Sequence, residues 1–203
     1  MTNKQPVERL EPGTVVRAAL ELLDEKGLDA LSTRAVAHRL GVRMNTVLWH
    51  VKTKARMLEL MADAVVGEIS LDALPDTPDE RVHELARRYR RALLAHRDGA
   101  ALVVGTYAAE SHTLRFAEIF VTAFLDSGRS EREAAWTVWT ALYFTLGLTQ
   151  EEQAAQRQPL GDRLAGALSS TAHPSLHRTL GHITGGSFDE RFEYGLTAIL
   201  GQG

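Results

Sequence analysis

The 203-residue sequence predicts an all-α fold. Three observations predict it. Apolar residues recur at intervals of three and four from Thr14 to Leu200, the spacing that lines them along one side of a helix. No stretch alternates apolar and polar residues as a half-buried strand does, and no internal repeat is present. Helix signals punctuate these runs. Ser130 with Glu133 three residues on is a capping-box pattern, and Gly27 and Gly128 stand where helices stop.

Residues 1–12 are polar. Thr14–Lys26 reads as an amphipathic helix with Val15, Val16, Ala19, Leu20, Leu22 and Leu23 in one stripe. The next stretch, Ser32–Arg56, holds six Lys or Arg, two His and no Asp or Glu. Ser32 and Thr33 offer hydroxyls to the free N–H groups of a helix start. Val36, Ala37 and Leu40 share one face, Gly41 admits a tight turn, and Val42 and Val47 turn back to the core. Two short helices meeting at a glycine turn with a basic outer face read as a helix-turn-helix. Its second helix leaves Arg43, Met44, Asn45, Thr46, Leu48, Trp49 and His50 on or near the exposed side. Such a helix fits the major groove of double-stranded DNA, where side chains read base edges. Asn45 and Arg43 carry suitable donors, and Thr46, Trp49 and His50 reach phosphates. Lys52, Lys54 and Arg56 extend the positive edge along a backbone that releases counterions when neutralised. The alternative is a solvated basic face on an ordinary helical hairpin. The coincidence of the turn glycine with an acid-free basic run favours DNA.

Lys54 to about Ser70 is a longer helix with Met57, Leu58, Met61, Val65 and Ile69 inward. Leu74–Glu80, LPDTPDE, is a linking loop that divides the chain into residues 1–70 and 71–203. Glu80–His96 carries Arg87, Arg88, Arg90 and Arg91 on one side, expected to stay solvated or to meet acids, and Leu85, Tyr89, Leu93 and Leu94 on the other. HRDG ends that helix. Ala100–Tyr107 is a short helix and turn, and Glu110–Asp126 is a helix with Leu114, Ile119, Phe120 and Phe124. The helix opened by Ser130 runs to about Glu152 and is apolar around much of its circumference. Such a helix must be covered on more than one side. Part is expected to face a second copy in a homodimer and part to line a pocket. Residues 153–160 read as a polar loop, Asp162–Leu168 as a short helix, His173–Gly186 as a loop and Asp189–Leu200 as the closing helix.

Composition agrees with a globular protein: 44% hydrophobic and 24% charged residues, with no cysteine for disulfide or thiol chemistry. No apolar run is long enough to cross a bilayer, and MTNKQPVERLEPG lacks a signal-peptide core. The expectation is a soluble cytoplasmic protein with no membrane partner. The net charge of −3 conceals +3 on residues 1–60 and −6 on residues 61–203. A basic small module joined to an acidic larger one suits a DNA reader with a second function.

The motif LSTRAVAHRLGV, followed by a helix ending in LWHVKTK, resembles the DNA-binding domain of the tetracycline-repressor (TetR) family of bacterial regulators. Ala92–Ala100 (ALLAHRDGA), Gly105–Thr106 and Tyr143–Gln153 (YFTLGLTQEEQ) resemble the ligand-binding core of the tetracycline repressors themselves. The resemblance implies a helix-turn-helix DNA-binding domain and a larger helical ligand-binding and dimerisation domain. It implies DNA contacts at Thr33, Arg34, Thr46, Trp49, His50 and Lys54. Met44 and Asn45 replace a glutamine and a proline at base-reading positions, and Leu48 replaces a tyrosine. Phosphate contacts are therefore expected to survive while the operator sequence differs. Tetracycline repressors hold the drug as a magnesium chelate. Their threonine and glutamate correspond to Thr106 and Glu151, but their metal-binding histidine corresponds to Val103, which cannot ligate a hard cation. Ungapped matching places further ligand contacts on Ser70, Leu85 and Ile119 and an aromatic wall on Tyr89.

The resemblance thus implies a pocket stripped of magnesium–tetracycline chemistry, needing no cofactor, with Tyr89, Thr106 and Trp139 as polar contacts for a small, largely apolar effector. The competing readings are a collapsed pocket in an effector-free DNA-binding dimer, and a metal-dependent enzyme using His173, His177 and His182 or Glu151 and Glu152. The second lacks a nucleophile elbow and a glycine-rich phosphate loop.

Overall fold

The computed structural model describes residues 10–106, 109–157 and 161–201. The polar segment 1–9, the end of the turn at Tyr107 and residues 158–160 of the polar loop lie outside the described residues. Among the described residues every regular element is helical.

Helix α1, Pro12–Lys26, begins with a proline at its first turn, where the missing N–H costs nothing. It buries Val15, Ala19 and Leu23 completely. Gly27, with φ of 80°, ends it, and a single 3₁₀ turn, Leu28–Ala30, leads on. Helix α2, Thr33–Arg39, is capped by Ser32, whose Oγ accepts from the Ala35 N–H at 3.1 Å. Gly41 sits at φ of 64°, in the left-handed region that the turn requires. Helix α3, Met44–Val51, buries only Val47 and Val51. Helix α4, Lys54–Gly67, is capped by Thr53 and buries Met57, Met61, Ala62, Asp63, Val65 and Val66. The expected extension to Ser70 is absent, because the N–H groups of Glu68 and Ile69 donate back to Val65 and Val66 in a closing turn.

Helix α5, Pro78–Leu94, starts two residues before the expected Glu80. Pro78 takes the first helical position, and Asp79 and Glu80 complement the positive helix end. Helix α6, Gly99–Val103, is short. Helix α7, Ser111–Asp126, carries a ladder of Phe116, Phe120 and Phe124 with centroids 5.5 and 5.7 Å apart. Such aromatic pairs add about 0.5–1.5 kcal/mol each beyond their burial. Helix α8, Glu131–Ala155, opens with the expected capping box. Helices α9, Gly161–Ala167, α10, Pro174–Thr184, and α11, Phe188–Leu200, complete the chain.

Helix α10 corrects the loop expected over His173–Gly186. Pro174 occupies its first turn and the glycine pair Gly185–Gly186 follows its end, so both breakers fall at the ends. Leu176, Leu180 and Ile183 then repeat at helical spacing, although the helix buries no residue in the single chain.

Helices α1–α3 form a small head, and α5, α7, α8 and α11 pack as the body around the phenylalanine ladder, with α4 touching both. The arginines of α5 meet acids. Arg87 forks onto Glu193 with two bonds of 2.7 Å, and the buried Arg90 pairs with Glu152 and Asp189. Arg88 donates to the carbonyls of Ser70, Asp72 and Ala73, which fixes the linker.

The turn between α5 and α6 joins head to body. His96 Nδ1 lies 3.0 Å from Asp24 of α1, and its Nε2 lies 3.1 Å from Glu68 beyond α4. Asp98 accepts from the Leu28 N–H at 2.9 Å. A Cβ on Gly99 would sit 2.2 Å from the Leu93 carbonyl oxygen, which backbone cannot vacate. Gly99→Ala is therefore expected to destabilise the protein by about 1–3 kcal/mol, as overpacking does. An unchanged urea-unfolding midpoint would contradict this packing.

Candidate functional site

The head presents α3 outward. Arg34, Arg43, Met44, Asn45, Thr46, Trp49 and Lys54 are exposed, and Thr33, Leu48 and His50 are half-buried. Trp49 is 73% exposed on the outer face of α3. The Lys52 ammonium lies 4.8 Å from its ring centroid. The basic residues divide into two groups. Arg39 is committed to Glu21 and Glu25 of α1, and Arg56 to Glu59 and Glu110. Arg56 therefore belongs to the junction with the body and not to the positive edge expected of it. Arg34, Arg43, Lys52 and Lys54 have no acidic partner among the described residues, so the charge on this face stays uncompensated.

The body holds a half-open cavity of about 590 Å³, with Leu114, Trp139 and Tyr143 at its exposed mouth. Ala62 and Val66 of α4 and Tyr89 of α5 form one wall. Val103, Val104, Gly105 and Thr106 form the second, Thr113, Leu114 and Phe116 of α7 the third, and Trp139, Leu142, Tyr143 and Leu146 of α8 the last. Tyr89 stacks on Phe116 with centroids 5.4 Å apart. Burial raises the Tyr89 hydroxyl pKa far above the ordinary tyrosine value, so the group stays neutral. The Thr106 hydroxyl donates to the Val103 carbonyl at 2.7 Å. The expected contacts Tyr89, Val103, Thr106 and Trp139 thus converge on one cavity.

Ser70, Leu85, Ile119 and Glu151 do not line it. Ser70 lies past the end of α4, in a shallow surface cleft with Glu84 and Arg88. Leu85 is one turn before Tyr89 and wholly within the core. Ile119 turns to a separate cleft beside Leu74, Pro75 and Arg81. Ungapped matching fails at these positions because it fixes neither where α4 ends nor which face of α7 turns inward. Glu151 is exposed on α8, outside the cavity of its own chain.

The donor set also decides against a magnesium chelate. Val103 offers an isopropyl group at the histidine position, and none of the described lining residues is charged. Among the described residues no cluster of His, Cys, Asp or Glu has the geometry to hold a metal ion.

Two further residues escaped the sequence reading. Asp63 of α4 is buried, and its carboxylate accepts from both the backbone N–H and the hydroxyl of Thr113, each at 2.8 Å. It therefore caps the N-terminus of α7 from another helix. His112 packs its ring on Gly67 beside it. Gln153 of α8 donates to the Leu93 and His96 carbonyls and accepts from the Ala100 N–H, which staples the α5–α6 turn. No local pattern signals either residue, because their partners lie 50 and more positions away.

Residues 15–61 match the family described as bacterial regulatory proteins, tetR family, and residues 73–201 match the tetracyclin repressor-like C-terminal domain. The chain belongs to the TetR family of transcriptional regulators, which are DNA-binding proteins and not enzymes. It is 34% identical over 195 residues to the tetracycline repressor protein class A from transposon 1721 of Escherichia coli, an alignment covering 95% of this chain and 89% of that protein. Its fold is similar to Streptomyces coelicolor ActR in complex with actinorhodin, with a TM-score of 0.85 at 29% identity over 96% of this chain and 95% of the other. It is similar also to BioQ with its natural double-stranded DNA operator, with a TM-score of 0.67 at 31% identity over 74% and 90% of the two chains.

Asp63→Ala is expected to lower stability by about 0.5–2 kcal/mol, the usual cost of removing a helix cap. Thr113→Val keeps the backbone donor and is expected to lose less. Equal urea midpoints for Asp63→Ala and the parent protein would refute the capping role.

Proposed function

We propose that this protein is a ligand-responsive, DNA-binding transcriptional repressor, acting as a homodimer and released from its operator by a small, largely apolar effector. The observation that carries the reading is the position of α4. Its N-terminus brings Lys54 beside the recognition helix, and its middle supplies Ala62 and Val66 to the cavity wall. One rigid element thus touches both the DNA-facing head and the ligand space. We place the boundary between the two domains after Ser70, in the linker held by Arg88.

In this reading Asn45, Arg43 and Met44 read base edges, while Thr33, Arg34, Thr46, Leu48, Trp49, His50 and Lys54 set the head on the backbone. The body supports dimerisation by what it leaves uncovered. Trp136 and Tyr143 of α8 and Tyr194 of α11 are 63%, 60% and 81% exposed, more apolar surface than isolated side chains explain. Two such bodies would set two heads on half-sites of a near-palindrome about one helical turn apart. Glu151 would then serve the partner's cavity. The place of action is the cytoplasm, where the DNA is; among the described residues no helix is long and apolar enough to cross a membrane.

A gel shift against DNA from the gene's own upstream region tests the core of this proposal. A specific, salt-sensitive complex is expected there, and its absence would count against the reading. Lys54→Ala is expected to weaken operator and non-operator DNA alike and to reduce the salt slope by about one. Asn45→Ala is expected to relax sequence preference at its own base pair by about 1–3 kcal/mol. Binding profiles over a randomised operator library separate these two roles.

A further inference from the structure

We infer that Lys52 is a positioning residue for DNA binding: a strained backbone holds its ammonium over the indole of Trp49 and orders that indole before a duplex arrives. The inference rests on the proposed DNA-binding reading and adds to it the residue that orients one of its contacts.

The turn between α3 and α4 has one residue in which to reverse the chain. Val51 ends α3 wholly buried, and Thr53 caps α4 by accepting from the Arg56 N–H at 3.0 Å, so both neighbours are pinned. Lys52 takes up the change of direction, with φ of 63° and ψ of −56°. Its own N–H donates to the Leu48 carbonyl at 2.8 Å, and the Thr53 N–H reaches back to the Val51 carbonyl at 2.7 Å. A bond between residues two apart around such angles is the rare, strained form of γ-turn. It differs from the left-handed region that Asp98 occupies, with φ of 58° and ψ of 21°, which aspartate tolerates. A β-carbon disfavours the Lys52 angles, whereas glycine would adopt them freely. Gly41 shows the same head using glycine where a turn alone is needed.

The lysine side chain therefore supplies something that glycine would not. Its ammonium, without an acidic partner among the described residues, lies 4.8 Å from the Trp49 ring centroid, one turn back on α3. Trp49 itself stands out from the helix with little packing to hold it. An exposed indole turns about two side-chain bonds, and a contact that needs one rotamer loses the freedom of the others. A cation over the ring face restricts that freedom in advance. It also leaves the indole N–H, at the ring edge, to donate to a phosphate. Strain held at this position is a cost to the fold and a gain to binding.

A fluorescently labelled duplex of random sequence at low salt tests this, because backbone contacts need no operator. Anisotropy reads its binding to the full-length protein and to Lys52→Gly, Lys52→Ala and Lys52→Arg, beside urea unfolding of each. Lys52→Gly is expected to raise the urea midpoint, since relief of the strained β-carbon exceeds the freedom that glycine adds to the unfolded chain. The same variant is expected to bind the duplex about two- to ten-fold more weakly, the worth of one side chain no longer ordered in advance. Lys52→Ala is expected to lose the same affinity without the gain in midpoint. Lys52→Arg is expected to bind as the parent does, because a guanidinium also stacks on indole. In a Trp49→Ala background, Lys52→Gly is expected to cost less than about two-fold, because the residue it orders is gone. An equal loss in both backgrounds, a midpoint that Lys52→Gly does not raise, or undiminished binding by Lys52→Gly would overturn the inference. The parent protein judges the underlying reading. A parent that ignores the duplex removes the DNA-binding reading and this inference with it, while a parent that binds beside variants without this pattern removes the inference alone.

Discussion

The tight turn His96–Gly99 carries the connection on which the rest of the structure depends. It leaves α5 and enters α6, and its geometry is set from three sides. Gln153 of α8 holds its backbone from the body. Asp24 of α1 and Glu68 beyond α4 meet the two nitrogens of His96, and Asp98 holds the Leu28 N–H of the head. The two carboxylates thus meet the imidazole ring at its two nitrogens, one from each side of the junction. The head therefore does not hang on a single flexible linker. It is tied to the body by hydrogen bonds from α1, from the residue after α4 and from the turn after α1.

A second tie runs beside the first. The cavity wall formed by the start of α7 is fixed to α4 through Asp63, and again by the Arg56 ion pair to Glu110. Thr113 and Leu114 face the ligand space, and Thr113 is the residue that Asp63 holds. A guest that pushes the first turn of α7 acts on a buried carboxylate of α4 and not on a surface contact. Bonds to such a group are costly to leave unmade, so α4 and α7 move together in preference to separating.

Much of this was legible in the sequence, and what was not shares a physical cause. The heads of α2 and α8 and the exposed face of α3 follow from local pattern, since caps and periodicity act within one or two turns. Helix α10 is hidden because Pro174, Gly185 and Gly186 read as loop composition, although they stand at the two ends of a helix whose apolar residues are spaced four and three apart. The capping box of Ser187 and Glu190 repeats the pattern at Ser130 and starts the closing helix at Phe188, one residue before the expected Asp189. Tyr89, Val103, Thr106 and Trp139 converge as expected, whereas Ser70, Leu85 and Ile119 depended on helix ends and rotations that tertiary packing alone decides. Asp63, Gln153 and the partners of His96 act across the chain and leave no local trace.

The two ties also constrain how a ligand can release DNA. The reading face of α3 contains no cavity residue, so occupancy of the body leaves the contacts of one head with its half-site intact. In the proposed reading, occupancy acts through the direction in which α4 and α1 carry that head. Two half-sites on adjacent turns admit only a narrow range of head separations. A guest need only prefer the body arrangement that sets another separation. A hundred-fold preference, about 2.7 kcal/mol, lowers operator affinity by up to the same factor, while a guest that binds both arrangements equally releases nothing however tightly it binds. In the proposed reading, effector specificity therefore rests on which body arrangement the guest prefers as much as on how well it fits the pocket.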